Sequence, residues 1–267
     1  MCISLCRRFL SVLGVFALAG CVTTGLNGVQ RSLSTTTWGY EKVTAPHPVY
    51  LGEKSQRFEV RAGDCGEDPG WSDCKNDRER SEVTAESARF RPGSSTWISF
   101  LIYLPIDFKT SNYVNANLGQ IHMKGGFAGT AGGYKSFPPL LQLDAKGGDY
   151  TGCFHMLRGD ERNISDVCNN KKIADIERLR GTWNRITIHL DAQNRTPKVK
   201  IFLNKELVAS FEQTLPRDPE YYYLKYGIYR SFVSKNRAPM PTQIVYYDEV
   251  KVGSTQADVE NESEVID

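Results

Sequence analysis

The chain has 267 residues, enough for one large domain or two small ones, and its composition is globular, with 40% hydrophobic and 24% charged residues. Its formal net charge of +2 is too small to indicate a nucleic-acid-binding protein, so any electropositive site must be local.

The first twenty residues have the pattern of a targeting signal and are set aside from the fold. Two arginines precede an apolar run over residues 9–19, which is too short for an ordinary membrane span. The run ends in Leu-Ala-Gly-Cys at 18–21, which resembles a bacterial lipoprotein signal. That resemblance implies cleavage before Cys21, lipidation of its thiol, and a protein anchored in the bacterial cell envelope, at the outer membrane or in the periplasm. A plain secretory signal with a chance cysteine is the alternative.

Four cysteines remain after the signal and the anchor are removed, namely Cys65, Cys74, Cys153 and Cys168. An even number suits disulfides in an oxidising envelope. Three connectivities are possible, and we expect the local one, Cys65–Cys74 and Cys153–Cys168. Zinc is the alternative, but the spacings are not CxxC and no histidine stands at finger spacing, so we expect no metal site.

The sequence pattern of the rest of the chain predicts mainly short strands. Residues 21–45 are rich in Thr, Ser and Gly and predict a tether, and residues 254–267 predict a disordered acidic tail. Between them, short alternating runs are separated by Gly, Pro, Asn and Asp, and only residues 173–180 predict a helix. The predicted strands are residues 57–61, 78–84, 96–104, 118–124, 140–143, 152–157, 185–190, 198–203, 207–212, 221–231 and 244–252.

Many short strands with almost no helix favour an all-β fold, an antiparallel sandwich or jelly roll over residues 46–253. In the strand over 221–231, alternation points Leu224, Tyr226 and Ile228 toward a core. Gly227 lies on the opposite face and has no side chain, so we expect a gap there in which a ligand approaches the sheet.

Three of the predicted strands carry polar side chains of similar chemistry on one face. Glu82 is the one carboxylate among them, and it could hold Arg80 by a bidentate pair. The members, strand by strand, are Arg78, Arg80 and Glu82; Gln120 and His122; and Tyr223, Lys225 and Tyr229. We found no closely spaced acidic pair of the kind that glycoside hydrolases use.

These residues resemble the motifs of one enzyme family. Arg80-Ser-Glu-Val is similar to the Arg-Thr/Ser-Glu-Leu motif of jelly-roll alginate lyases, Gln120-Ile-His to their Gln-Ile-His, and Tyr223-Leu-Lys-Tyr-Gly-Ile-Tyr to their Tyr-Phe-Lys-Ala-Gly-Val-Tyr. The opening run at 57–61 and the closing run at 246–250 resemble the heparin lyase I and glucuronan lyase branch. The resemblance covers residues 50–253 and implies a concanavalin-like jelly roll with a concave polysaccharide-binding face.

The chain departs from the alginate pattern at two places. Thr84 stands where the first motif ends in Arg, and Arg230-Ser231 replace the Asn-Gln that follows the last Tyr. Because these positions grip the sugar chain in that family, the positive charge of Arg230 suits an acidic polymer other than alginate.

The resemblance implies a lyase that cleaves a uronic-acid polymer by β-elimination. In that reading Arg80 and Gln120 neutralise the sugar carboxylate, His122 removes the C5 proton, and Tyr229 protonates the leaving oxygen. For some stereochemistries Tyr229 serves as both base and acid, with His122 assisting. The expected substrate-binding residues are Lys225, Arg78, Tyr223, Arg230 and, as a secondary candidate, His155.

The expected partners are an acidic polysaccharide and the membrane through the lipid anchor, with no nucleic acid, and the protein is expected to be a monomer. No cofactor is required, and calcium, which some relatives contain, would be structural. The first alternative is a non-catalytic carbohydrate-binding lipoprotein, and a second is a structural envelope protein. Neither would need a base and an acid on the same face.

Overall fold

The computed structural model describes residues 28–126, 128–131, 134–135, 137–159 and 164–262. The predicted signal peptide and the lipidation site at Cys21 lie outside the described residues. Within them the chain is almost entirely strand, and two seven-stranded antiparallel sheets form a jelly-roll sandwich. The predicted all-β fold class is therefore confirmed.

The strands and helices follow one another with short connections. In chain order the elements are β1 (Val29–Arg31), β2 (Tyr40–Val43), β3 (Ser55–Val60), β4 (Glu67–Asp68), β5 (Trp71–Ser72), β6 (Arg78–Phe90), β7 (Ser95–Tyr103), β8 (Asn115–Lys124), β9 (Ala128–Ala131), β10 (Tyr134–Lys135), β11 (Leu141–Lys146), β12 (Asp149–Gly159), β13 (Ile164–Asp175), α1 (Ile176–Leu179), β14 (Trp183–Asp191), β15 (Lys198–Leu203), β16 (Glu206–Glu212), β17 (Tyr221–Ser231), β18 (Gln243–Gly253) and α2 (Gln256–Glu260).

The front sheet has the order β1-β6-β17-β8-β11-β12-β13, and the back sheet has the order β16-β15-β14-β7-β18-β3-β2. Two further two-stranded sheets pair β4 with β5 and β9 with β10. The three strands with the predicted polar face, β6, β17 and β8, are direct neighbours in the front sheet.

The core lies between the two sheets, where both present apolar side chains. Leu224, Tyr226 and Ile228 are fully buried there, which confirms the alternation predicted for β17. The Tyr226 ring lies 5.2 Å from that of Tyr247 on the back sheet, measured between centroids. The Tyr247 hydroxyl donates to the backbone carbonyl oxygens of Leu118 and Gly227, the latter at 3.1 Å. It therefore holds the backbones of β8 and β17 together from the core side of the front sheet.

The strand register shifts at Leu118, and this changes which residues face outward. On β11, the adjacent residues Leu143 and Asp144 pair with Gly119 and Asn117, so Leu118 is an extra residue of β8. On β17, Tyr226 and Tyr229 pair with the same two residues, so two residues of β17 stand opposite Leu118. Leu118 is fully buried, and a side chain on Gly119 would meet the core residues Leu143 and Phe100 at 3.5 Å. Two consecutive residues thus face the core, as in a β-bulge, and both flanking residues face away from it.

Gly227 does not leave an open gap. Its φ of +124° lies in a region that favours glycine, and a Cβ there would stand 2.4 Å from the carbonyl oxygen of Ser81 and 2.8 Å from the Phe58 ring. The prediction of a gap for a ligand at Gly227 is therefore wrong, because glycine is needed there for the close contact between β17 and β6.

The predicted limits of the domain were too narrow at both ends. The predicted tether includes β1 and β2, which pair with β6 and β3, so the fold begins no later than Val29. The predicted disordered tail includes α2, whose first turn is held by a capping box of Thr255 and Asp258 and whose Val259 is fully buried. The predicted helix over 173–180 is confirmed in part by α1.

Both expected disulfides, Cys65–Cys74 and Cys153–Cys168, are confirmed, and with them the choice of disulfides over zinc. Among the described residues, no three His, Cys, Asp or Glu side chains come together in a way that could hold a metal ion. No helix in the described ranges has the length and apolar character needed to cross a membrane.

Candidate active site

The polar side chains of the front sheet that point away from the core form its open face, and Glu82 lies at the centre of this face. Glu82 is only 2% exposed. Its carboxylate accepts hydrogen bonds from Gln120 Nε2 on β8, from Lys225 Nζ on β17, and from Arg80 Nη1 at 3.4 Å on its own strand. One carboxylate therefore holds side chains from three adjacent strands in place.

Lys225 pairs with Glu82 as a nearly buried ammonium. Burial lowers the pKa of Lys225 from its ordinary value, and the adjacent Glu82 carboxylate opposes that shift. The ammonium of Lys225, an expected substrate-binding residue, therefore points toward Glu82.

Arg80 is held by a residue that the sequence analysis missed. Asp73 is fully buried and accepts a bidentate pair from Arg80, with Nε–Oδ2 at 2.5 Å and Nη2–Oδ1 at 2.6 Å. Asp73 immediately precedes Cys74, so the Cys65–Cys74 disulfide closes the loop that carries it. Arg80 was expected to help neutralise a sugar carboxylate, and the structure shows that its Nε–Nη2 edge, which would form a bidentate pair, is occupied by Asp73.

Tyr229 lies between two guanidinium groups. The Arg80 guanidinium carbon is 4.3 Å from the centroid of its ring, and Arg78 Nε donates to its hydroxyl oxygen at 3.0 Å. Arg78 is itself fixed, because it lies 3.8 Å over the Phe232 ring and donates to the backbone carbonyl oxygen of Asn76. The Tyr229 side chain is partly exposed, so its hydroxyl can be reached from the open face.

His122 is partly exposed at another point of the open face, with its ring 5.1 Å from that of Tyr223. Its Nδ1 lies 3.0 Å from the carbonyl oxygen of Met123, which can only accept, so the proton resides on Nδ1 and the lone pair on Nε2. Burial, with the positive charges of Lys225 and Arg80 as further causes, lowers the pKa of His122 to about 3.

The two candidate proton-transfer residues stand at opposite ends of the Glu82 cluster. In the register of β17 and β8, Tyr223 is opposite His122, Lys225 is opposite Gln120, and Tyr229 is opposite Asn117. His122 follows Asn117 by five positions along β8, a Cα separation of roughly 16 Å at the usual rise of a strand. Gln120 and Lys225 lie between these two ends.

The two remaining candidates occupy different positions. His155 is on β12, where its Nδ1 is 2.9 Å from Asp166 Oδ2 and its Nε2 is 2.8 Å from Gln142 Oε1, so it faces the open side. Arg230 is fully buried and donates to the carbonyl oxygens of Arg61 at 2.8 Å and Pro241 at 2.6 Å. The prediction that Arg230 contacts substrate is therefore wrong, because alternation turns it away from the open face.

A cavity of about 270 Å³ lies on the open face beside Tyr229. Two buried residues that the sequence analysis did not name, Asn117 and Asp144, form its floor with Gln142. Asp144 could have been found, because 141–146 alternates apolar and polar residues. Asn117 could not, because the register shift at Leu118 brings it to this face.

Known proteins share the sequence pattern and the architecture. The model of a family described as polysaccharide lyase matches residues 24–251. The structure is similar to an endo-β-1,4-glucuronan lyase from the fungus Trichoderma reesei, with a TM-score of 0.67 and 19% identity over 88% of this chain and 93% of that one. No curated protein matches the chain.

Two alginate lyases of polysaccharide lyase family 7 are also similar. A1-II′ has a TM-score of 0.53 and 14% identity, covering 82% of this chain and 85% of its own. AlgAT5 has a TM-score of 0.51 and 17% identity, covering 86% and 95%. At these identities the structural likeness shows the fold alone. The family assignment comes from the family model, which spans most of the chain, and the chain therefore belongs to the polysaccharide lyase family.

Proposed function

We propose that this protein cleaves an acidic, uronic-acid-containing polysaccharide by β-elimination and leaves an unsaturated sugar at the new end. The family supports a lyase, and the similar structures include enzymes named for glucuronan and alginate, which are both polyuronates. The observation that carries the proposal is the Tyr229 hydroxyl, which is accessible, beside a cavity, and hydrogen-bonded to Arg78.

An anionic substrate suits the charge of this part of the open face. Arg78, Arg80 and Lys225 contribute three positive charges, and the carboxylates in contact with them, Asp73 and Glu82, contribute two negative charges. Gln120 and Lys225 each retain an N–H beyond the one given to Glu82. We assign to these two donors the binding of the uronate carboxylate, on which negative charge increases when the C5 proton is removed.

The elimination needs one proton to leave C5 and one to reach the departing oxygen. The electron pair of the C5–H bond forms the C4–C5 double bond, the C4–O4 bond breaks, and O4 leaves with its electron pair. Tyr229 acts in its phenolate form: it takes the C5 proton as the base, becomes the phenol, and gives that proton to O4 as the acid, which restores the phenolate. Arg78, which donates to the same oxygen, stabilises the negative charge of the phenolate.

We assign His122 a supporting role in this step. An imidazole with a pKa of about 3 is a weak base, although it is neutral at physiological pH and offers the Nε2 lone pair to a substrate hydroxyl. Burial is the main cause of this lowered pKa, and a uronate carboxylate bound at Lys225 would offset the smaller part that comes from nearby positive charges. His122 therefore orients the substrate while Tyr229 transfers both protons.

The assignment is tested with a panel of uronic-acid polymers and the ultraviolet absorbance of the conjugated double bond, which hydrolysis does not produce. Wild type is expected to raise the absorbance with at least one polymer, Tyr229→Phe to abolish the rise, and His122→Asn to reduce it. Tight binding of a polymer with no rise on any of them would favour the non-catalytic carbohydrate-binding alternative instead.

We also propose that the mature protein is held in the bacterial cell envelope by lipid on Cys21, an assignment supported by the Leu-Ala-Gly-Cys sequence at 18–21. Metabolic labelling with a fatty-acid probe should mark the wild-type protein and not Cys21→Ser. Equal labelling of the variant would contradict lipidation there. The proposed chemistry requires no cofactor, so activity should survive prolonged dialysis against a chelator, apart from any loss of a structural calcium ion, which a melting curve would report.

A further inference from the structure

The floor of the cavity beside Tyr229 offers hydrogen-bond acceptors on Asp144 and Asn117. Asn117, which is 3% exposed, stands opposite both Tyr229 and Asp144 in the strand register, so the three residues form a row across three adjacent strands. Asp144 is 2% exposed and lies on the same floor. Both side chains are therefore held by the sheet itself.

Asp144 is a buried carboxylate without a cationic partner among the described residues. It accepts hydrogen bonds from Asn115 Nδ2 and Asn117 Nδ2, both at 3.1 Å, and each of its oxygens retains a further lone pair. Burial raises the pKa of Asp144 from its ordinary value. The Asn115 and Asn117 amides and the more distant charges of His155 and Lys146 oppose this shift without cancelling it, so the buried carboxylate is costly, which suggests that it serves a ligand.

Asn117 adds an independent observation. Its Nδ2 donates to Asp144, which directs the carbonyl oxygen elsewhere, and this buried Oδ1 has no hydrogen-bond partner among the described residues. Buried polar atoms are nearly always paired in folded proteins, so an unpaired acceptor that lines a cavity points to a missing donor. Asp144 and Asn117 can therefore both accept a hydrogen bond from a donor group of a ligand.

Cations are found at the rim of this cavity and not on its floor. Lys146 and Lys235 line it with exposed side chains, and the Arg78–Tyr229 pair stands at its edge. The uronate next to the one bound at Gln120 and Lys225, lying in this cavity, could therefore turn its carboxylate to the rim and its hydroxyl groups to the floor. At about 270 Å³ the cavity is smaller than the roughly 300 Å³ at which pockets for drug-sized ligands begin, which suits one sugar unit.

From these observations, and resting on the proposed lyase function, we propose that the cavity is a sugar subsite that requires free hydroxyl groups, which donate to Asp144 and Asn117. An O-sulfate ester at those hydroxyls removes the donor and brings a negative charge against the Asp144 carboxylate. The substrate class is therefore a polyuronate whose hydroxyls are unsubstituted in the unit beside Tyr229, as opposed to a sulfated one.

Binding of a matched pair of uronic-acid oligosaccharides, one unsulfated and one O-sulfated, tests this by calorimetry alongside the absorbance assay. Wild type is expected to bind the unsulfated one about ten- to a hundredfold more tightly, the loss typical of hydrogen bonds to a charged group. Asp144→Asn and Asn117→Ala should each weaken that binding and reduce the ratio. Asp149→Asn, which removes an exposed carboxylate paired with Lys172, is the matched control and should leave the ratio unchanged.

The outcomes separate this subsite from the proposed reaction. Active wild type with the same ratio in Asp144→Asn and Asn117→Ala would overturn the subsite and leave the lyase assignment intact. Discrimination that depends on Asp144 without any absorbance change would support the subsite and contradict the reaction. Binding of neither oligosaccharide would overturn both proposals. Because two different side chains are tested, misfolding of one variant does not remove the test.

Discussion

The two ends of the open face differ in what they offer a substrate. At one end the Tyr229 hydroxyl contacts Arg78, Arg80 covers its ring, and beside it lies a cavity lined by Asn117, whose Oδ1 is unpaired among the described residues. At the other end His122 stands beside Tyr223 with its pKa lowered to about 3. The motifs name both residues with equal weight, whereas the described residues place an arginine hydrogen bond and a cavity beside Tyr229.

The largest expected effect comes from Tyr229→Phe, which keeps the ring under Arg80 and removes only the hydroxyl. If Tyr229 transfers both protons, the rate should fall by about 10²–10⁴-fold or more, with binding of the polymer retained. Tyr221→Phe, in the same strand, is the matched control. A rate in Tyr229→Phe within a few-fold of that in the Tyr221→Phe control would place the chemistry at the His122 end.

Glu82→Gln should disturb both ends at once, because Glu82 connects them. The change leaves Arg80 and Lys225 nearly buried with less compensation, and breaking a buried ion pair in this way costs about 3–5 kcal/mol. Chemical denaturation should show this loss of unfolding free energy. A stability equal to that of wild type would mean that the cluster is solvated well enough to need no carboxylate.

His122→Asn is expected to have a smaller effect on rate and a distinct effect on acid stability. The pKa of about 3 in the folded protein lies below the ordinary value of 6.5, so between these values the unfolded chain binds more protons. His122 therefore contributes a stability that is lost as the pH falls from about 6.5 toward 3. Melting curves over this range should show a shallower loss in the variant. Parallel curves would contradict the lowered pKa.

The two disulfides should differ in their effect on activity. Reducing Cys65–Cys74, or replacing both with Ser, frees the loop that carries Asp73 and so loosens Arg80 over Tyr229. A several-fold loss of rate is expected beyond any loss of stability. The Cys153–Cys168 pair joins cysteines 15 positions apart, against 9 for Cys65–Cys74, on a part of the chain that does not carry Asp73, and it serves as the control. Equal losses for the two pairs would show that Asp73 does not position Arg80.

The smallest expected effect is that of Asp144→Asn on stability, and this substitution should stabilise the folded protein. Because burial raises the pKa of Asp144, its ionised form destabilises the folded protein as the pH rises through that pKa. The variant should therefore melt slightly higher than wild type near neutral pH, and the difference should vanish in acid. A lower melting temperature at neutral pH would indicate that the carboxylate is stabilised by its surroundings.

Simple alternation predicted much of the open face. Gln120, His122 and Lys225 lie on it, and the same rule applied to β17 would have placed Arg230 in the interior, where it is. The family comparison, and not the residue pattern, led to the wrong role for Arg230. The position of Asn117 on the open face could not be predicted from the sequence, because a register shift of one residue at Leu118 reverses the face on which it lies.

Features that depend on loops or on the tertiary fold could also not be predicted from the sequence. Asp73 acts from a disulfide-closed loop, and nothing in its local sequence indicates that it binds Arg80. The edge strand β13 was missed because its residues are mostly polar and exposed, so it has no apolar alternation. The helix α2 was missed because one buried valine gives little periodic signal against an acidic background.

The most direct test of the central claim compares polymers of opposite stereochemistry at C5. In D-glucuronate and D-mannuronate the C5 proton and the C4 oxygen lie on the same side of the ring, so one phenol can serve both, whereas in L-guluronate they lie on opposite sides. We predict that wild type raises the ultraviolet absorbance of an unsulfated D-glucuronate or D-mannuronate polymer. A rise confined to L-guluronate, or none on any polyuronate, would contradict a reaction centred on Tyr229.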